Sequence, residues 1–214
     1  MRSVRVFFEK TGNIKYISHL DLNRFMLKLI RKSGIPVWYS EGFNPHPYIT
    51  FALPLSLGFE STYEIMDIRL DNNEFTNDEV YNALNGLFPV GLTLVSCGDP
   101  VMKAGEVAFA DYLIEFEEAG EEFVSNLNNF LNRDHTITKK KTKKGNYKDI
   151  DIKEFIRSYE INGNNLKLVL VAGGSNNLNP KLILDAFASE FQLTLPYYKV
   201  TRTCLFNSNM EKFI

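Results

Sequence analysis

Two histidines have neighbours that could make them chemically useful. His46 stands between Pro45 and Pro47, inside Glu41-Gly42-Phe43-Asn44-Pro45-His46-Pro47. Proline fixes its own φ and biases the residue before it to extended backbone. The spacing therefore predicts an imidazole held on a stiff, exposed loop. His19 opens the first predicted helix, where the helix N-terminus disfavours an imidazolium. A neutral imidazole can exchange a proton near pH 7 or bind a metal. Each also reads as a histidine hydrogen-bonded to backbone in a structural turn. As a pair, His19 and His46 would supply the acid and base of a metal-independent ribonuclease or transferase, with Lys15 or Arg24 stabilising charge.

Three further segments suit phosphate. Arg24, Lys28 and Arg31 follow i, i+4, i+7 spacing, one stripe of a helix. Asp21, three residues before Arg24, would partly neutralise that stripe, and a solvated helix face is the plain alternative. Lys139 to Lys148 holds six lysines in ten residues beside Tyr147, which reads either as a phosphate and base-stacking contact or as a solvated hairpin tip. Ala172 to Pro180 is a glycine-rich strand-to-helix loop, whose helix-start amides can bind phosphate. It lacks the Gly-Lys-Ser/Thr ending of a nucleotide-hydrolysing P-loop. No Gly-x-Gly-x-x-Gly or Gly-x-Ser-x-Gly signature occurs.

The elements that must position these residues read in order. Val4 to Glu9 is a strand. Ser18 caps a helix whose apolar face is Leu22, Phe25, Met26, Leu29 and Ile30, and Gly34 and Pro36 end it. Val37 to Tyr39, Tyr48 to Leu53 and Tyr63 to Leu70 read as strands, Thr76 to Phe88 as a capped helix, and Leu92 to Cys97 as a strand. Asp99 to Ala108 looks like a linker. Asp111 to Phe116 is a strand, Glu121 to Leu131 a helix, and Thr136 to Thr142 a polar strand. Asp149 to Tyr159 reads as a turn with a short helix, and Leu166 to Ala172 as a strand after an Asn-Gly turn. A helix follows from Asn179 and Pro180 to Phe191, and Lys199 to Phe206 closes the chain. This order predicts an α+β protein of two tandem ferredoxin-like, split β-α-β halves with antiparallel sheets, residues 1–100 and 109–214.

Composition sets the outer limits. The chain has 214 residues, 44% of them hydrophobic, enough for two cores and against disorder. Residues 1–48 carry eight Lys/Arg against three Asp/Glu, residues 49–135 three against sixteen, and residues 136–214 thirteen against seven. Basic ends around an acidic middle point to a polyanion partner, or to acidic and basic stretches packed side by side. Cys97 and Cys204 make no Cys-x-x-Cys pair, which excludes a recognisable zinc knuckle or iron–sulfur motif in this sequence. With no apolar leader and no membrane-length run, a cytoplasmic protein is expected.

The run Tyr16-Ile17-Ser18-His19-Leu20-Asp21-Leu22-Asn23-Arg24, followed by Pro36 to Phe51 and Leu53-Pro54-Leu55, resembles a radical-SAM-associated family, domain of unknown function 2344. Asp149-Ile150-Asp151-Ile152 is a weaker landmark of the same resemblance. It implies a chain that is either separate or fused C-terminal to cobalamin-binding radical SAM proteins. The implied partner, not this chain, carries the iron–sulfur cluster and radical chemistry, so no cofactor of its own is expected. Paired ferredoxin-like domains with loop histidines are also similar to CRISPR repeat-processing endoribonucleases at the level of fold. Three readings follow. The first is an RNA-binding accessory module presenting tRNA or rRNA to the radical SAM enzyme. Its contacts would be Lys15, Arg24, Lys28, Arg31, Asn44, His46, Lys140, Lys141, Lys143 and Lys144, with Tyr39, Phe43 and Tyr147 stacking on bases. The second is the histidine-dependent ribonuclease or transferase. The third is a docking scaffold that grips the enzyme through the Gly42 to Pro47 loop.

Overall fold

The computed structural model describes residues 1–141, 145–173 and 177–214. Strand β1 (Arg2–Lys10) buries Val4, Val6 and Phe8 on one face by simple alternation. Helix α1 (His19–Ser33) lays Leu22, Met26, Leu29 and Ile30 over that face. The Ser18 hydroxyl accepts from the Asp21 amide at its start, and Gly34 at φ 75° ends it in the left-handed conformation that glycine adopts without penalty. β2 (Ile49–Phe51), β3 (Glu60–Leu70), α2 (Asn77–Leu84) and β4 (Leu92–Gly98) complete the first half. The second half comprises β5 (Phe109–Phe116), α3 (Glu121–Leu131), β6 (Ile137–Lys141), β7 (Tyr147–Asp151), β8 (Ile156–Asn162), β9 (Asn165–Val171), α4 (Pro180–Glu190) and β10 (Tyr198–Phe206).

The result is a mixed α/β protein dominated by antiparallel pairing. Its main sheet runs β4-β1-β3-β10-β5-β9-β8, with β2 also on β3, while β6 and β7 form a separate hairpin. The halves share one sheet through a single parallel junction, Thr201 beside Glu60 and Arg202 beside Ser61. β3 thus gives one end of its outer edge to β2 and the other to β10. The cores mix as well. Leu53, Leu55 and Phe59 of the first half belong to the cluster built around β5, β9, α3 and α4.

Three expectations change. Residues 149–159 hold no α-helix: β7 ends at Asp151, one 3-10 turn spans Ile152–Phe155, and β8 begins at Ile156. A bulge between Ile156 and Ser158 breaks the alternation that would have disclosed β8. Val37 to Tyr39 makes only isolated bridges, to Leu70 and Pro47. Helix α2 stops at Leu84, not Phe88, because Asn85 turns to extended backbone and Gly86 takes φ 81°.

Candidate functional site

A row of buried polar side chains crosses the seam. Laterally, Lys10 of β1 aligns with Ser61 of β3, Ser61 with Arg202 of β10, and Arg202 with Tyr112 of β5. A bulge in the β1–β3 pairing between Phe8 and Lys10 sets this register. Lys10, Ser61 and Arg202 are each at most 1% exposed, Glu64 2% and Tyr112 5%. Such groups cost several kcal/mol to desolvate unless partnered, so their partners define the site.

Glu64 binds Arg202 in a short ion pair, and Arg202 Nη2 also donates to the Leu53 carbonyl at 2.9 Å. Among the described residues Nε and Nη1 of Arg202 make no well-formed hydrogen bond, although the guanidinium stands close enough to the Tyr112 hydroxyl to interact with it. Among the described residues Lys10 Nζ donates to the carbonyls of Lys15 (3.3 Å) and Ile17 (3.4 Å). The row therefore holds two buried cations and one carboxylate. Burial pushes the Lys10 amine below its usual range, Glu64 opposes that shift, and Arg202 adds to it. His19, half-buried with its ring centroid 4.9 Å from that of Phe51 in an edge-on arrangement, is also held below the ordinary imidazole value. Burial dominates there, Glu64 again opposes, and Lys10 and Arg202 contribute. His19 is therefore a neutral imidazole at the edge of a cationic row. Burial raises the Tyr112 phenol, which remains a hydroxyl, and the Arg202 guanidinium lies against it.

Beside Tyr112 opens a pocket of about 320 Å³ lined by Pro54, Ser56, Lys140, Asn177, Asn179 and Leu182. It joins both halves: Asn179 Nδ2 donates to Ser56 Oγ at 3.1 Å. Asn179 is also the N-cap of α4, accepting from the Lys181 amide, with Pro180 at the first helical position. The positive end of α4 therefore faces this region. Lys140 arrives from the β6–β7 hairpin, donates to the Asn177 carbonyl at 2.6 Å and lies 5.6 Å from the Phe155 ring. Asp151 clasps the hairpin base. Its carboxylate accepts from the Thr136 amide (2.9 Å), the Lys153 amide (3.0 Å) and His135 Nδ1 (2.7 Å). The Thr136 amide is the main reason that Asp151 sits below the usual carboxylate range, and Asp151 in turn raises His135.

Of the other sequence candidates, Tyr39, Asn44 and His46 share one loop, closed by the Tyr39–Pro47 bridge and the Ser40–His46 hydrogen bonds. His46 is exposed, with Nδ1 3.0 Å from Ser40 Oγ and 3.1 Å from the Asn44 carbonyl, so its partners differ from those of His19. Phe43 is fully exposed, Tyr39 and Tyr147 largely so. Arg24 pairs with Asp21 at 3.3 Å, while Lys28 and Arg31 are exposed on the outer face of α1. Lys15 is paired with Glu60 at 3.5 Å and mostly covered. Of the lysine run, Lys140 lines the pocket and Lys141 ends β6, whereas Lys143 and Lys144 lie outside the described residues. The glycine-rich loop is described only in part, because Gly174 to Asn176 fall outside as well. Sequence reasoning missed Lys10, Glu64, Tyr112, Arg202 and Asp151. Lys10 and Arg202 each sit in an apolar strand at an inward-facing position, and that was the available signal.

Among the described residues no group of three or more His, Cys, Asp or Glu could hold a metal, and no helix is long and apolar enough to cross a membrane.

These features define a mixed α/β protein with a charged seam and an adjoining pocket. The chain belongs to the family described as an uncharacterized protein conserved in bacteria, DUF2344, matched over residues 3–180. No curated protein matches its sequence. Among solved structures it is similar to a chain of a Cbf5-Nop10-Gar1 complex, with 9% identity and TM-score 0.50 over 94% of this chain. This chain spans about half (48%) of that one, and the likeness is one of fold alone. A protein assigned as a glycine cleavage system transcriptional repressor aligns over 94% of this chain and 98% of its own at 9% identity, with a TM-score of only 0.26.

Proposed function

We propose that this chain is an RNA-binding accessory module that presents tRNA or rRNA to a modifying enzyme. We read its two strand quartets, β4-β1-β3-β2 and β10-β5-β9-β8, as tandem ferredoxin-like halves fused at β3 and β10. The observation that carries the proposal is the meeting of Lys140 and the α4 N-terminus at one pocket, whose wall Tyr112 stands against the buried Arg202 of the seam. These come from distant parts of the sequence and share the chemistry that attracts phosphate. Phe43, Tyr39 and Tyr147 offer uncovered rings on which unpaired bases can stack. The family resemblance suggests a radical SAM protein, bearing an iron–sulfur cluster and possessing or lacking cobalamin, as the partner that performs the chemistry.

The experiment is RNA affinity measured against salt for the wild-type chain and Lys140→Ala. We expect steep weakening with salt and a shallower slope in the variant, since each lost phosphate contact removes about one counterion released. A flat salt response in the wild-type protein overturns the reading.

A docking scaffold is the second reading, and the fully exposed Phe43 on its proline-stiffened loop favours it. Phe43→Ala would then abolish co-purification with the partner enzyme in nuclease-treated extract and leave RNA affinity unchanged. The differing surroundings of His19 and His46 lend no support to acid–base catalysis by that pair.

A further inference from the structure

We propose that the seam pocket is a binding site for a phosphate monoester, the doubly charged end group of a nucleotide or of a phosphorylated RNA terminus. The inference deepens the RNA reading by naming the group the pocket takes. Its footing is an imbalance inside the protein. Among the described residues Lys10 and Arg202 are buried with Glu64 as their one buried carboxylate, and Nε and Nη1 of Arg202 make no well-formed hydrogen bond beyond their approach to the Tyr112 hydroxyl. A buried guanidinium normally has its donors satisfied, and a buried donor left without a partner carries the full cost of its desolvation. Arg202 lies against Tyr112, which lines the pocket and is itself 5% exposed.

The pocket adds donors of the right kind. Lys140 brings an ammonium group, Ser56 a hydroxyl and Asn179 a side-chain amide. The N-terminal end of the eleven-residue α4 contributes partial positive charge. Tyr112 stays protonated and brings its hydroxyl, which meets the Arg202 guanidinium, to the pocket wall. Among the described residues no Asp or Glu lines the pocket. A surplus buried charge, an ammonium group and a helix terminus together favour a dianion over a singly charged phosphodiester. A phosphate monoester carries about −1.5 to −2 near pH 7. The volume, about 320 Å³, stands at the small end of ligand pockets and has room for a chain end or one nucleotide rather than a duplex.

The test uses the full chain and four probes: inorganic phosphate, a nucleoside 5′-monophosphate, the unphosphorylated nucleoside, and a short single-stranded RNA with either a 5′-phosphate or a 5′-hydroxyl. Calorimetric titration is run on wild type, Lys140→Ala and Tyr112→Phe. Both variants keep the packing, so loss of the fold does not confuse the result, and thermal melting checks this. We expect the monophosphate to bind at least about tenfold more tightly than the nucleoside, with both variants weakening it about tenfold or more. A tenfold preference for the 5′-phosphorylated RNA identifies an RNA terminus as the source. Binding of the free monophosphate with neither RNA bound keeps the site, assigns it to a nucleotide and removes the RNA reading. Salt-dependent RNA binding indifferent to the 5′-phosphate, with no monophosphate binding, overturns this proposal and leaves the RNA reading standing. Monophosphate affinity unaltered in both variants also overturns it.

Discussion

Glu64 is the residue on which the seam most depends, because it is the one carboxylate among buried cations. Glu64→Gln leaves Arg202 and Lys10 uncompensated, and a loss of about 3–5 kcal/mol in urea unfolding is the expected result. Replacing both partners with apolar residues of similar volume, Glu64→Leu with Arg202→Met, should recover most of it, since neither charge then needs desolvating. Recovery in the double variant would show that stability does not require the ion pair. The histidines give a prediction of opposite signs. His19 is held below its unfolded value near 6.5, so the unfolded chain binds its proton more readily, and stability falls as pH drops from that value through the folded one. His135 is held above its unfolded value by Asp151, so its stabilisation is complete below about pH 6.5 and is lost as pH rises through the folded value. Denaturant midpoints measured from pH 5 to 8 should therefore lose acid sensitivity in His19→Gln and lose alkaline sensitivity in His135→Gln.

At the scale of elements, the β6–β7 hairpin is the part that brings Lys140 to the pocket, and it does not belong to the main sheet. What steadies it is local: the Asp151 carboxylate gathers the Thr136 and Lys153 amides together with His135. Asp151→Ala should speed amide exchange across residues 137–151 while leaving exchange in β5 and β9 unaltered. The same variant should weaken any ligand held by Lys140 without touching the ligand's own contacts. Unchanged exchange in the hairpin would mean that its strand pairing alone fixes it. Helix α2 offers a simpler case. Thr76 and Glu79 form a reciprocal capping box, with Thr76 Oγ1 accepting from the Glu79 amide at 3.2 Å and Glu79 accepting from the Thr76 amide at 2.7 Å. Thr76→Ala should cost about 1 kcal/mol and nothing in ligand binding.

At the scale of the molecule, the halves are joined too closely to behave as beads on a linker. They share a sheet at β3 and β10, and Leu53, Leu55 and Phe59 fill the second core from the first half. Heating should give one transition, with fluorescence of Trp38 in the first half and far-ultraviolet dichroism coinciding. Two separated transitions would mean that the seam contributes little to cohesion. Residues 109–214 expressed alone should show weak near-ultraviolet dichroism, because the second core then lacks Leu53, Leu55, Phe59, Ile65 and Val107, and Arg202 lacks Glu64.

The sequence by itself determined the elements whose causes lie within a few residues of one another. Ser18 with Asp21, Thr76 with Glu79, Asn179 with Pro180, and Gly34 after α1 all mark boundaries that the structure keeps. Alternation in β1, β5 and β9 likewise marked three strands and their buried faces. It did not disclose β8, where a bulge disturbs the period, nor the site itself. Positions 10, 61, 64, 112 and 202 are separated by as much as the whole chain, and each alone is an ordinary residue in a strand. Only lateral strand order and register put them in one row, since a sheet joins residues through backbone pairing that carries no mark in local composition. The charge imbalance of that row exists only where water is excluded, and that exclusion is a property of the assembled sheet and its covering loop.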